Sequence, residues 1–202
     1  RRADRAARQA NLVLLTGDHP AESEEAALRD VEERLRSREA PIVYTPGEEE
    51  NLGGNTTAFQ TSFGPPDIAF TVGSIQFFAF ASSLQTLGKA GVSELRSRMR
   101  KLDRDEPVVA LTHTPPFDPK EARGLGFQSQ IEAARTLSSL GTYRTDLLVA
   151  GHLPEAHRTS YDAIEMAVPP SGAAGGFHIV ELTPRTAGAD SKLDVEIALD
   201  RR

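Results

Sequence analysis

Residues 12–18, LVLLTGD, carry four consecutive apolar side chains, a threonine, a glycine and an aspartate. The apolar run is too short for a buried helix and ends on a chain-breaking Gly17, so it reads as a buried strand that delivers Asp18 at its carboxyl end. The same grammar recurs. In "PVVALTHTPPFDP" (107–119) a buried strand delivers His113 before breaking at Pro115-Pro116, and "TDLLVAGHLPEAH" (145–157) delivers His152 after Gly151. In "PIVYTPGEEE" (41–50) a β-branched and aromatic run stops at the Pro46-Gly47 turn and releases Glu48, Glu49 and Glu50. Strands that are apolar throughout belong to parallel or mixed sheets covered on both faces.

Between these strands lie helical patterns. Residues 21–37 place Ala27, Leu28, Val31 and Leu35 on one face behind a capping Ser23, and 92–105 place Leu95, Met99 and Leu102 for burial. Residues 129–141 form a third helix, closed by Gly141. "RRADRAARQA" (1–10) reads as the last turns of a helix that begins upstream. Residues 51–67 read as a polar connection, and "IAFTVG" with "SIQFFAFASS" as an antiparallel pair turning at Gly73. The C-terminal runs "AIEMAV", "GFHIVEL" and "KLDVEIAL" alternate like strands of β-hairpins. The expected class is α/β, sandwich-like, with mixed, mostly buried sheets flanked by helices. A length of 202 residues suits a single domain over 1–202.

Bulk properties exclude several functions. The chain has no cysteine, which removes disulfides, thiolate nucleophiles and iron–sulfur clusters. Its net charge is −6 with arginines scattered among acids, so no nucleic-acid footprint is expected. No apolar run reaches the ~18 residues of a membrane helix. The compartment is not set by these features.

In open α/β sheets the carboxyl ends of the strands border the ligand crevice. Asp18, the glutamates 48–50, His113 and His152 therefore converge by topology alone. They are the residue types that zinc, iron or manganese accept.

The ordered set resembles the calcineurin-like metallophosphoesterases, whose motifs read D-x-H, G-D, G-N-H-[DE], a His before proline, and G-H-x-H. Gly17-Asp18 matches the second motif, "LTHTPPF" the fourth, and Gly151-His152 the first half of the fifth. The paired strands over 63–83, the helix at 91–102 and "SGAAGGFHIVEL" also resemble the family, so the likeness runs over about 10–182. It implies a phosphate-ester substrate and a two-metal centre bridged by the G-D aspartate. It also implies Asp18, Glu48, His113 and His152 as metal ligands.

The departures are specific. D-x-H is absent from the chain and belongs upstream of residue 1. Glu48 stands for the ligand Asn and Glu49 for the His that aids the transition state; an alternative register makes Asn55 the ligand. Pro154 stands where the second His of G-H-x-H belongs, with His157 three residues on. The residues thus support one divalent ion (Mn, Zn or Fe) or none rather than two, and a degenerate site that is inactive or much reduced. The alternative is an active phosphomonoesterase or phosphodiesterase whose missing motif is supplied upstream. A protein partner, or an upstream segment completing the sheet, is the expected association.

Other polar residues have plainer readings. His19 reads as a solvent-facing loop residue, His178 as a packed strand residue, Asp118 as a turn cap, and Ser171 to Gly176 as a flexible turn. Asn55-Thr56-Thr57 fits a glycosylation triplet by chance spacing.

Overall fold

The computed structural model describes residues 11–19, 25–36, 40–51, 55–88, 90–120, 124–170, 177–185 and 192–200. The helix expected over 1–10, the Ser23 cap and the turn at 171–176 lie outside these.

Six strands form a mixed sheet: β3 (Ile68–Val72), β4 (Ile75–Ala79), β5 (Val108–Leu111), β6 (Thr145–Val149), β8 (Ile164–Val168) and β7 (His157–Tyr161), neighbours in that order. The inner pairs β4–β5, β5–β6 and β6–β8 are parallel, and hairpins add β3 and β7 antiparallel at the edges. The chain turns between β3 and β4 at Gly73, whose φ of 60° suits glycine.

A second layer holds two separate pairs among the described residues. The parallel pair is β1 (Val13–Leu15) with β2 (Ile42–Tyr44), and the antiparallel pair is β9 (Phe177–Pro184) with β10 (Leu193–Asp200). Both lie on the same face of the large sheet. Leu12, Leu14, Val43, Val180, Leu182, Val195 and Ile197 pack with Phe77, Val109, Leu111, Leu147 and Val149. The opposite face of β1–β2, through Val13, Leu15 and Tyr44, meets Val31 and Leu35 of α1 (Glu25–Arg36) and Phe59 and Phe63 of α2 (Thr57–Phe63). The far face of the large sheet packs Leu95 and Met99 of α3 (Gly91–Met99) and Leu140 of α4 (Gln130–Thr142). The layers run helix, sheet, paired strands, helix, which is the expected α/β sandwich. The six-stranded sheet is continuous, with β3 and β7 as its outer strands.

Two local expectations are corrected, and one strand had no counterpart in the sequence reading. The 51–67 connection contains α2, because Phe59 and Phe63 at i, i+4 spacing bury one face against Tyr44. α4 does not end at Gly141; it runs to Thr142, and the left-handed residue after it is Arg144, φ 56°. The sequence HRTSY forms edge strand β7, paired with β8, although it lacks apolar alternation. No helix among the described residues is long and apolar enough to cross a membrane.

Candidate metal centre

Two parallel pairs, β1–β2 and β5–β6, bring four strand ends to one edge of the sandwich. The loop after β1 carries Asp18, that after β2 Glu48, that after β5 His113 and that after β6 His152. One donor atom from each side chain falls in a group whose members all lie within 4.8 Å of one another. His113 Nε2 lies 2.5 Å from Glu48 Oε2, 3.3 Å from Asp18 Oδ2 and 3.2 Å from His152 Nδ1. His152 Nδ1 is 3.2 Å from Glu48 Oε1.

The loops are locked to one another. Gly151 N–H donates to the His113 carbonyl at 2.7 Å, and Thr112 N–H to the Val149 carbonyl at 3.0 Å. Asp18 and His152 hold left-handed backbone conformations, φ 56° and 62°. Such strain in non-glycine residues persists only where the surroundings over-determine it, and it clusters at functional sites. Gly47 sits so close to Asp18 that a Cβ there would lie 2.7 Å from the Asp18 nitrogen and 2.8 Å from its Cγ.

Glu50 organises this edge. It is fully buried, and its Oε2 accepts from Asp18 N–H at 2.8 Å and Gly47 N–H at 2.7 Å. Oε1 accepts from His19 N–H at 2.9 Å and from the Tyr44 hydroxyl. A buried carboxylate without a cation is tolerable because four donors solvate it. Burial, followed by the Glu50 charge, pushes the Tyr44 hydroxyl above its usual range, so it stays a donor. The three glutamates therefore have three different placements. Glu48 points into the cluster, Glu50 ties the β1 and β2 loops together, and Glu49 is half-buried with its backbone N–H donating to Asp18 Oδ1 at 3.1 Å.

The donor set suits a cation. Ligand atoms held about 2.0–2.2 Å from one ion lie roughly 3 Å from one another, close to the separations seen. Neither buried Glu48 oxygen makes a directed hydrogen bond, so both carboxylate lone pairs aim into the cluster. His113 Nδ1 is hydrogen-bonded to the Thr16 carbonyl, which can only accept, so Nε2 is the nitrogen turned inward. Exposure is graded, with His113 1% exposed, His152 14%, Glu48 34% and Asp18 37%, so the cluster opens on its carboxylate side. Without an ion, a proton does the balancing. Burial pulls the His113 pKa down, but Asp18 and then Glu48 outweigh it and push it up to about 10. Burial raises Glu48, and the adjacent His113 and His152 nitrogens outweigh that and hold it at about 2. Asp18 is likewise lowered, burial being outweighed by His113 and the Glu49 N–H.

Other singled-out residues stay outside the donor group. Asn55, the alternative ligand, has its Oδ1 accepting from Thr57 N–H at 2.9 Å at the start of α2. His157 lies in β7 opposite Val168, and Glu49, Pro154 and His19 add no donor to the group. The His19 ring meets Tyr44 edge-on at 5.4 Å. Asp118 Oδ1 accepts from Lys120 N–H at 2.9 Å, a turn role. His178 lies in β9 opposite Leu199. Sequence reasoning missed the tethering role of Glu50, and it missed Gln85, whose carboxamide lies 3.2 Å from His152 Nε2. Glu50 was hidden in a run of like charges, and Gln85 sits in a loop with no distinguishing pattern.

No family model matches the chain. No curated protein matches it in sequence. Solved structures match it in fold. A phosphopantetheinyl hydrolase from Mycobacterium tuberculosis superposes with a TM-score of 0.56 at 16% identity, covering 79% of each chain. A dimetal phosphatase from Danio rerio gives 0.56 at 14% identity, covering 82% of this chain and 74% of that one. The chain has the calcineurin-like metallophosphoesterase fold. GAP50, the anchor in the inner membrane complex of Plasmodium, shares this fold with a TM-score of 0.61 at 14% identity, over 98% of this chain and 72% of that one. Within the metallophosphoesterase fold of this chain, the four clustered donors occupy the strand-end edge described above.

Proposed function

We propose that this metallophosphoesterase-fold domain holds one divalent ion, manganese, zinc or iron, on Asp18, Glu48, His113 and His152, and that it hydrolyses phosphate esters slowly or not at all. The observation that carries the reading is one point of convergence among the described residues. Four donors meet there, while Pro154, where the resemblance implies a further histidine ligand, and Glu49, where it implies the histidine that aids the transition state, add none.

A divalent ion at this point would polarise a phosphoryl oxygen and acidify a bound water. What the chain's own residues contribute argues for weak chemistry. Two carboxylates against one divalent ion leave no net positive charge to attract a phosphate dianion, and Glu49 adds a negative charge beside Asp18. Position 49 also offers carboxylate oxygens where the resemblance implies an imidazole ring. The buried His113 and half-buried His152 supply the inner donors, and the cluster opens to solvent on the side of Asp18, whose backbone is left-handed.

The fold serves a hydrolase and a protein named as an anchor alike. A binding role with a protein partner is therefore the activity we assign if chemistry is absent. The test is metal content by mass spectrometry after dialysis against each ion, together with turnover of p-nitrophenyl phosphate and its bis-ester. One ion per chain, lost on His113→Ala, with negligible turnover is the expected result. Two ions per chain or robust turnover would overturn the proposal and favour the active phosphoesterase.

A further inference from the structure

β3 is an outer strand of the six-stranded sheet, with no strand beyond it among the described residues. Backbone parity shows which of its groups face outward. Gln76 N–H donates to the Pro107 carbonyl and Phe80 N–H to the Leu111 carbonyl, both at 2.9 Å, so the even-numbered residues along β4 turn to β5. Ile75, Phe77 and Ala79 then turn to β3, where they oppose Val72, Phe70 and Ile68. The N–H and C=O groups of Ala69 and Thr71 are left pointing away from the sheet, and both residues are exposed. Val72 beside them is 44% exposed. The strand carries none of the usual guards of a sheet edge. IAFTV has no charge and no proline, and its pairing with β4 runs without a bulge. The other outer strand, β7, is guarded by the exposed Arg158, which pairs with Glu165 and donates to the Val195 carbonyl of β10.

We propose that β3 is a docking edge for a second copy of this chain, the two strands pairing antiparallel about a two-fold axis at Phe70. A two-fold contact must be self-complementary, and this register is. Ala69 opposes the partner's Thr71 and Thr71 the partner's Ala69, so outward-facing residues meet outward-facing ones and each pair exchanges both N–H···O=C bonds. Phe70 meets its own copy at the axis, in the closely spaced position, and Ile68 meets the partner's Val72. These contacts extend the face on which Ile68 and Phe70 already pack with the second layer and Phe70 stacks on Phe77 at 5.0 Å. Neighbouring registers fail. An axis at Ala69 needs Asp67 opposite Thr71, and the Asp67 carbonyl already accepts from Arg98 at 3.1 Å. An axis at Thr71 needs Gly73, which is in the turn at φ 60°. A foreign strand would have to supply a match to this register, whereas a second copy has it by symmetry. The antiparallel axis points the carboxyl ends of β5 and β6 in the two copies to opposite ends of the joined sheet, so both metal edges stay open. The proposal is independent of the metal reading. Five residues of strand bury less than the ~1,200–2,000 Å² of a stable interface, so the dimer is transient and forms as concentration rises.

The test is sedimentation velocity of the full chain across a wide concentration range, with amide hydrogen exchange read at both ends of it. The expected result is a reversible monomer–dimer equilibrium with no larger species, because the two-fold axis closes the contact. The Ala69 and Thr71 amides should exchange slowly in concentrated samples and rapidly in dilute ones. Thr71→Pro, which removes an outward N–H and no bond to β4, should abolish the dimer. Thr71→Lys, which keeps the backbone and puts a charge on the edge, should do the same if proline is not tolerated. Both variants should keep the wild-type far-UV circular dichroism and metal content. A wild type that stays monomeric at every concentration overturns the proposal. So does a dimer whose Ala69 and Thr71 amides remain unprotected, one that survives both substitutions, or growth into assemblies larger than a dimer. The exchange measurement on wild type decides the matter even if neither variant folds.

Discussion

Lowering the pH from 8 to 6 is expected to weaken divalent-metal binding at the cluster by about 100-fold, one order of magnitude per pH unit. The reason lies in His113. In the metal-free chain it carries a proton on Nε2, because Nδ1 is committed to Thr16 and Asp18 and Glu48 push the pKa up to about 10. A metal ion must displace that proton to reach the lone pair. Glu48, held at about 2, is already ionised throughout this window and contributes no further proton. Because the His113 pKa is raised on folding, the stability it lends the metal-free chain is full below about pH 6.5 and is lost as pH rises through about 10. Acid therefore favours the proton, and base favours the metal. Calorimetric titration with zinc or manganese in buffers of different protonation enthalpy would count the protons. About one proton should leave per ion bound near pH 7. No proton release, or an affinity that changes less than about threefold across the two pH units, would refute the assignment of His113 as both proton carrier and ligand.

Gly47→Ala forces a Cβ against the Asp18 backbone and carboxyl carbon, and is expected to cost about 1–3 kcal/mol in urea unfolding while lowering metal affinity; an unchanged midpoint would contradict the close approach. Glu50→Gln replaces one of two acceptor oxygens with a donor amide facing donors, so about 2–3 kcal/mol of stability should be lost, and a loss under about 0.5 kcal/mol would remove Glu50 from its organising role. Glu49→Ala should leave metal stoichiometry intact where Glu48→Ala abolishes it, since only Glu48 aims into the cluster; equal behaviour of the two in metal analysis would show that the loop adopts another arrangement.

Much of the fold and half of the site's logic are written locally. Residues 12–15, 108–111 and 147–150 are apolar runs whose only comfortable fate is a covered strand, and each carries its polar residue just past its end. Parallel pairing then puts His113 beside His152 at one sheet edge and Asp18 beside Glu48 at another, and the packing of the two layers brings those edges together. Spacing could also have found α2, since Phe59 and Phe63 stand one turn apart behind Asn55.

Tertiary structure decided what no local pattern encodes. Three adjacent glutamates look alike in sequence, because charge and propensity are the same for each. Their different placements arise only when the Asp18 loop and the β2 loop dock and present N–H groups to one carboxylate. Gln85 reaches His152 across 67 positions because its loop is pinned to α4, a contact that depends on packing rather than periodicity. The second layer likewise forms as two separate pairs among the described residues, while the six-stranded sheet joins strands far apart in the chain. Residue types and strand ends were determined by the sequence itself. Which donors point inward, and what holds them there, was determined by long-range hydrogen bonds between loops.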